Sequence, residues 1–167
     1  MKKTTTFLAI IFATVFSVNA QNYYPEPRTG HTMTLIGDYI YMFGGETQAK
    51  GVFTDGMSRL DVSTSTWWHV QPVNTPPEGR RDHAAVVHDN NLYIIGGETA
   101  DGFVGEIWKY NTATNTWEQL ITNGSFIPGI TQHGAIVENG ILYIFGGSDG
   151  TNQLQEAYSI DLSNGTA

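Results

Sequence analysis

Three histidines stand at a nearly constant spacing and are the first candidates for chemistry in this chain: His31, His83 and His133. Imidazole is the commonest metal ligand in proteins, and three histidines form a known zinc-binding set. Such ligands are usually oriented by carboxylates, and none recurs at matching offsets here. We therefore interpret these histidines as structural residues of a repeat, and we predict no metal site.

Three arginines offer a second kind of chemistry: Arg28, Arg80 and Arg81. A guanidinium group recognises carboxylates with two parallel hydrogen bonds, so these residues are candidates for binding a carboxylate or a sugar acid. The alternative is a structural arginine that pairs with an acidic neighbour in its own repeat unit. We favour the structural interpretation, and we expect Arg81 to be the one that is free.

The histidines belong to a block of sequence that is written three times. Each copy contains a Tyr-led apolar run that is closed by two glycines, and the copies are about 50 residues apart. Self-similarity at this period is typical of a repeat architecture, in which each unit buries its faces against its neighbours. The repeated residues are the glycine pairs and two tryptophans: Gly44, Gly45, Gly96, Gly97, Gly146, Gly147, Trp67 and Trp117.

Each unit is predicted to contain β-strands and no helix of useful length. Val, Ile, Tyr, Trp and Thr fill the runs, while Gly, Asn and Asp separate them, which is typical of half-buried antiparallel strands joined by tight turns. The predicted strands are 31–36, 39–43, 59–62 and 67–70 in the first unit, 83–88, 92–95, 106–110 and 116–120 in the second, and 133–137, 141–145 and 157–162 in the third.

These motifs resemble the kelch repeat. The matching pattern is an Arg-x-x-His opening, a Tyr-led run that ends in Gly-Gly, and a Tyr-Asn-Thr-x-Thr-x-Thr-Trp close. The resemblance is strong in two units and partial in the third. It implies an all-β propeller with four-stranded antiparallel blades at about residues 25–75, 76–126 and 127–167. It also implies that the histidines bond to the backbone of adjoining loops, that the glycine pairs let blades approach, and that the tryptophans wedge between them.

The third unit is incomplete by this pattern. The step from Gly97 to Trp117, taken from Gly147, reaches Ala167, where the fourth strand should begin. Two full blades and a partial third form an open arc, whereas propellers close a ring and so remove exposed sheet edges. Two explanations stay open. The simpler one is that the chain is a piece of a longer protein; the other is self-association of copies to close the ring.

The first twenty residues are predicted to be a signal peptide. A basic start, a short apolar run and small residues before Ala20 follow the plan of a secretory signal, with cleavage between Ala20 and Gln21. The apolar run is shorter than a membrane span needs, which disfavours an anchor. We expect a secreted, periplasmic or extracellular protein whose mature part, residues 21–167, has no membrane span.

Charge and composition restrict the partners. Sixteen acidic residues face eight basic ones, which gives a formal net charge of −8. Nucleic acids and anionic membranes attract basic proteins, so we predict neither as a partner. The chain has no cysteine, which excludes thiolate chemistry. Phosphate-binding loops, nucleophile elbows and calcium-binding loops do not occur either, and we predict no cofactor and no catalytic residue.

The loops that follow each glycine pair are the predicted binding site, since variable loops on a rigid scaffold usually carry function. They run over residues 46–56, 98–105 and 148–155. Phe53 and Phe103, at roughly equivalent places, are either exposed contact residues or packed back over the blade. The candidate binding residues are Glu46, Phe53, Asp55, Arg81, Glu98, Asp101, Phe103 and Asp149.

Two hypotheses about function follow. The first is an exported kelch-repeat binding module that presents these loops to a protein or glycan partner. The second is that the chain is an incomplete relative of exported kelch-type sugar-acid epimerases of the N-acetylneuraminate type. We favour the first, because an enzyme needs acid, base and arginine groups that converge inside a closed ring.

Overall fold

The computed structural model describes residues 23–120 and 127–162. The predicted signal peptide, its cleavage site at Ala20 and Gln21, and residues 163–167 lie outside the described residues. Within the described ranges the protein is all-β. No helix occurs there, and so none that is long and apolar enough to cross a membrane.

The first blade is a four-stranded antiparallel sheet with a two-stranded ladder at one end. Its strands are β1 (Arg28–Thr29), β2 (Thr32–Ile36), β3 (Tyr39–Phe43), β4 (Glu46–Thr47), β5 (Met57–Asp61) and β6 (Thr66–Val70). The sheet order is β2-β3-β5-β6, while β1 pairs with β4. Neighbouring strands are therefore also consecutive along the chain, apart from the short β4 in the loop after the glycine pair.

The second blade repeats this arrangement. Its strands are β7 (Arg80–Arg81), β8 (Ala84–His88), β9 (Asn91–Ile95), β10 (Glu98–Thr99), β11 (Gly102–Phe103), β12 (Ile107–Asn111) and β13 (Thr116–Leu120). The large sheet has the order β8-β9-β12-β13, and the ladder has the order β7-β10-β11. At the β8–β9 hairpin, Asp89 and Asn90 both adopt a positive φ, 47° and 58°, as a type I′ turn requires.

Three strands of the third blade are described: β14 (Gly134–Glu138), β15 (Ile141–Phe145) and β16 (Ala157–Asp161). They pair in chain order. The prediction of two full kelch-type blades and a partial third in an open arrangement is confirmed. Most predicted strands match within a residue at each end; the largest difference is β5, which begins at Met57 rather than at position 59.

The apolar core lies between blades. We call the side of a blade that faces the preceding blade its leading face, and the opposite side its trailing face. The trailing face of the first blade packs on the leading face of the second, through Tyr41, Phe43, Leu92, Ile94, Tyr110 and Trp117. The second blade packs on the third in the same way, through Val86, Tyr93, Ile95, Leu142, Ile144 and Ile160. Each blade is therefore stabilised by its neighbours.

The glycine pairs mark the closest approach of neighbouring blades. A Cβ atom on Gly44 would lie 2.6 Å from the carbonyl oxygen of Arg80, and one on Gly96 would lie 2.6 Å from that of Ile130. The second glycine donates its N–H to the same oxygen, from Gly45 to Arg80 and from Gly97 to Ile130, each at 2.8 Å. No side chain fits at the first position, so the pair holds the opening segment of the next blade.

The segment between the first two blades closes the outer edge of the second. The side chain of Asn74 donates to the carbonyl of Trp117 and accepts from its N–H, both at 2.8 Å. A further strand would make two such bonds with the edge strand β13 at Trp117. Asn74 thus covers the centre of this edge strand, where another chain could otherwise pair.

Candidate functional site

The loops after the glycine pairs emerge together on one side of the arc. Each is tied to the opening segment of its own blade, by β1 with β4, by β7 with β10, and by the bridge from Thr131 to Ser148. The opening segments are in turn joined to one another: Asp82 N–H donates to Gly30, and Gln132 N–H donates to Asp82. We call this surface, residues 28–30, 46–56, 80–82, 98–105, 130–132 and 148–155, the loop face.

Arg81 lies at the centre of the loop face and links two blades. Its guanidinium group lies 2.8 Å from Glu98 in its own blade and also pairs with Glu46 of the first blade. The guanidinium carbon sits 5.1 Å from the ring centroid of Phe53. The hydrogen bond to Glu98 raises the pKa of Arg81. The expectation that Arg81 is the free arginine was therefore wrong: two carboxylates hold it in place.

Glu46 is held on its other side by the backbone of its own loop. The N–H of Gly51 donates to its carboxylate, and this bond, followed by the charge of Arg81, lowers the pKa of Glu46. Glu46, Arg81 and Glu98 therefore form a charged bridge that fixes two loops relative to each other. Such a bridge holds the neighbouring groups in position.

The two remaining arginines are structural. Nη1 of Arg28 donates to the carbonyl of Gly44 at 3.1 Å, and Nη1 of Arg80 donates to that of Gly96 at the same distance. Arg80 is fully buried and also pairs with Glu106 at 2.9 Å. This is the predicted pairing with an acidic neighbour in the same blade.

The histidines pack into the gaps between blades. The ring of His83 lies against Gly44 of the preceding blade, and the ring of His133 lies against Gly96. Nε2 of His83 is 2.8 Å from the hydroxyl of Thr32, so the predicted bond to loop backbone was wrong for this residue. Burial lowers the pKa of His83 to about 3 and that of His133 to about 4. Both rings are therefore neutral at pH 7.

Phe53 and Phe103 occupy equivalent positions. The backbone carbonyl of Phe53 lies against Gly79, and that of Phe103 lies against Gly129. Each of these glycines stands directly before the opening segment of the next blade. Both rings lean on the following blade, Phe53 over Arg81 and Phe103 against Gly150. Phe103 nevertheless keeps 38% of its surface exposed. The sequence left two alternatives, exposed contact residues or packed rings, and each is partly correct.

The acidic candidates differ in how far they are free to bind. Asp149 is used in its own turn, where its carboxylate accepts the N–H groups of Thr151 and Asn152, and these bonds lower its pKa. The carboxylates of Asp55 and Asp101 are exposed and have no partner among the described residues. Together with Phe103 they are predicted binding residues that a partner can reach without breaking an internal bond.

The family model described as the KLHDC2/KLHL20/DRC7 kelch-repeats domain matches residues 6–166. The chain belongs to the kelch repeat family. This match confirms the resemblance to kelch repeats that the sequence motifs indicated. The order of the strands around each glycine pair is also the same in the described blades.

Curated relatives are similar to this kelch chain over about half of its length. Tip elongation aberrant protein 1 of Schizosaccharomyces pombe is 36% identical over 97 residues, 56% of this chain and 8% of that protein. Kelch domain-containing protein 3 of Rattus norvegicus is 37% identical over 79 residues, 47% of this chain and 20% of that protein. Rab9 effector protein with kelch motifs of Rattus norvegicus is 36% identical over 85 residues, which are 50% of this chain and 23% of that protein. The matches thus cover less than a quarter of each relative.

The kelch blades also form a cleft that sequence reasoning missed. It has a volume of about 270 Å³ and lies between β6 of the first blade and the β12–β13 turn of the second. Arg59 and Trp68 line it, and Trp68 is 52% exposed. The sequence offered one signal for this cleft: the first unit has Trp67 followed by Trp68, whereas the second has Trp117 followed by Glu118.

No group of three His, Asp or Glu side chains in the described ranges is close enough to hold a metal ion.

Proposed function

We propose that this chain is an exported kelch-repeat module that binds a protein partner through its loop face. Kelch repeats are generally protein-interaction modules, and the loop face has the properties of a binding surface on a rigid scaffold. Its loops are fixed by short ladders and by the bridge of Glu46, Arg81 and Glu98. A partner therefore meets a preorganised surface, which lowers the entropy lost on binding.

The observation that carries this proposal is the grouping of an exposed aromatic ring with unpaired carboxylates. Phe103 supplies apolar area at low entropic cost, and Asp55 and Asp101 supply negative charge without a partner among the described residues. Aromatic residues are enriched where proteins bind one another, and complementary charge sets orientation and rate. The partner surface that fits is a cationic one with an apolar centre.

A glycan is the second candidate partner. Trp68 and Arg59 beside a cleft of about 270 Å³ form an exposed aromatic surface with an adjacent cation, which suits a sugar that carries a carboxylate. The epimerase alternative receives no such support. The three arginines that the sequence offered for a sugar acid, Arg28, Arg80 and Arg81, are all engaged in bonds within the protein.

A peptide array and a glycan array test the proposal. We expect the purified chain to bind cationic peptides that contain apolar residues, with binding that weakens as salt increases. Phe103→Ser and Asp101→Asn should each weaken binding by about tenfold or more. Asp38→Asn is the matched control, because Asp38 is an exposed carboxylate in the β2–β3 turn and not on the loop face.

Two results would contradict the loop-face assignment. One is equal loss in the Asp38 control, which would indicate a nonspecific charge effect. The other is binding to glycans alone that Trp68→Ser abolishes and Phe103→Ser leaves unchanged, which would favour the cleft instead.

A further inference from the structure

The cleft between the first two blades contains an arginine whose hydrogen-bond donors are not used within the described residues. Arg59 on β5 lines this space of about 270 Å³, which we call the interblade cleft. Its guanidinium carbon lies over the ring of Tyr39, 4.6 Å from the centroid. No oxygen in the described part of the chain accepts a hydrogen bond from it. Since a guanidinium group has five N–H donors, those directed at the cleft are available to a ligand.

The second blade carries a paired cation at the equivalent position. Arg59 is directly paired with Trp68 across β5 and β6, and Lys109 is directly paired with Glu118 across β12 and β13. Both cations are the third residue of their strands. Nζ of Lys109 lies 4.0 Å from the carboxylate of Glu118. The first blade thus keeps the cation but has an indole ring where the second blade has the carboxylate.

Trp68 places a flat apolar surface beside this cation. It is 52% exposed, whereas Trp67 and Trp108 are part-buried and Trp117 is buried. The face of an aromatic ring packs well on the C–H face of a sugar ring, and the indole N–H is a hydrogen-bond donor. Because Trp68 and Arg59 are directly paired, they lie on the same side of the sheet and can contact one ligand together.

The second blade supplies a polar wall on the other side of the cleft. The hydroxyl of Tyr110 donates to Asn115 at 2.6 Å, and Nδ2 of Asn115 donates to the carbonyl of Gln71 at 2.7 Å. Burial raises the pKa of Tyr110 to about 12, so this hydroxyl stays protonated at pH 7. Its oxygen can still accept a hydrogen bond from a ligand, and the side-chain amide of Gln71 is exposed.

The interblade cleft is suited to an anion although the chain as a whole is acidic. None of the residues that line it has a carboxylate. Asp61, two residues after Arg59 on β5, accepts hydrogen bonds from Ser63 and Thr64 in its own turn. These bonds, with the hydroxyl of Ser63 first, lower the pKa of Asp61 and keep its carboxylate engaged there. A carboxylate from outside the chain is therefore the partner that fits Arg59.

We propose that the interblade cleft binds a pyranose sugar that carries a carboxylate. Arg59 donates two parallel N–H bonds to the carboxylate, Trp68 packs on the apolar face of the sugar ring, and Tyr110 and Gln71 bond to its hydroxyl groups. The ligand thus contacts both blades. This inference rests on the second candidate function given above, and it is independent of the loop face, with which the cleft shares no residue.

The size and lining of the cleft favour a sugar over an acidic peptide. Its volume is below the roughly 300–1,000 Å³ of pockets that hold drug-sized ligands, so it matches a single sugar ring better than a peptide segment. An indole face next to hydroxyl and amide groups also matches a ring that has one apolar face and several hydroxyl groups.

NMR titration of the isotope-labelled protein tests the proposal. The ligands are glucuronate, galacturonate and the methyl glycoside of glucuronate, and methyl glucoside is the matched sugar without a carboxylate. We expect the indole N–H signal of Trp68 to shift with at least one of the acids and to shift far less with methyl glucoside. Binding of the methyl glycoside indicates the end of a glycan, and binding of the free acid alone indicates a free sugar acid.

Two variants remove the proposed contacts. Arg59→Gln should weaken binding by about tenfold or more, because it removes a charge-assisted pair of hydrogen bonds. Trp68→Glu should abolish binding, because it gives Arg59 the internal partner that Lys109 has in the second blade. Lys109→Gln is the matched control and should bind as the original chain does. Circular dichroism checks that each variant folds.

The loop face is tested separately from the cleft. Phe103→Ser should leave sugar binding unchanged, and Arg59→Gln should leave binding of cationic peptides to the loop face unchanged. Failure of the cleft proposal is therefore distinguishable from failure of the loop-face proposal.

Three outcomes would overturn the proposal for the cleft. The first is no shift of the Trp68 signal with any of the three acids up to their solubility limits. The second is equal binding of methyl glucoside, which would show that the carboxylate is not recognised. The third is a glutamate-rich peptide that binds more tightly than the sugars and is lost in Arg59→Gln, which would mean a peptide site.

Discussion

The guanidinium of Arg80 and the carboxylate of Glu106 form an ion pair, with 2.9 Å between Nη2 and Oε2. Arg80 has no exposed side-chain surface, and it also donates to the carbonyl of Gly96 at 3.1 Å. One residue therefore joins the opening segment of the second blade to its glycine pair and to the segment before β12. A buried charge is tolerated only when it is paired in this way.

Arg80→Met should lower the free energy of unfolding by about 2 kcal/mol or more, because it leaves the carboxylate of Glu106 and the carbonyl of Gly96 without their donor. Urea denaturation measures the change. Arg28→Met is the control: Arg28 is part-exposed and forms no ion pair among the described residues, so its loss should cost less. Equal losses would show that the Arg80 pair contributes nothing beyond the carbonyl contact.

Gly96→Ala should destabilise the protein by about 2 kcal/mol more than Gly146→Ala, because it overpacks a close contact. Both glycines have a positive φ, 61° and 68°, so the cost of placing alanine in that conformation is shared. Only Gly96 has a neighbouring blade against it, with the carbonyl of Ile130 2.6 Å from the added Cβ. Thermal unfolding at a concentration where single chains predominate gives the comparison. Equal destabilisation would indicate that blade contact plays no part.

His83 should make the protein less stable in mild acid. Burial holds its folded-state pKa at about 3, below its ordinary value of 6.5, so the unfolded chain binds the proton more tightly. The stability is complete above pH 6.5 and declines as the pH falls from there towards 3. At pH 5 the loss from His83 alone is about 2 kcal/mol.

Urea denaturation of His83→Gln at pH 7.5 and at pH 5 isolates this contribution. The variant should show a smaller difference between the two pH values than the original chain, although His133 continues to contribute. An undiminished pH dependence in the His83 variant would rule out His83 as its source.

Production of the full sequence in a secreting bacterial host should yield a protein that begins at Gln21, because small residues before that position fit signal peptidase. Intact mass spectrometry of the exported fraction measures this. Ala20→Arg should block cleavage, whereas Asn19→Arg, one position earlier, should be tolerated. If the unaltered sequence is recovered uncleaved from the cytoplasm of the host, the proposed export is contradicted.

Local patterns were sufficient for the strands and for the turns. The hairpin signal at Asp89 and Asn90, and the apolar runs before each glycine pair, predicted β8, β9 and their equivalents because strand period and turn chemistry are local properties. The pairing of Arg81 was not predictable in this way. Its partner Glu46 is 35 residues away and in another blade, so no sequence pattern brings the two together. The bond from His83 to Thr32 crosses the same interface and was missed for the same reason.

The sequence by itself determined that the chain is a kelch repeat, because each unit repeats the residues that its strands, turns and close contacts require. Only the tertiary structure decided which repeated positions are covered. Tyr41, Tyr93 and Tyr143 stand at the same place in their units, yet the first two are buried and the third is half exposed. The physical reason is that burial in this fold is a property of two blades together, and a residue's place in its own unit does not reveal its neighbour.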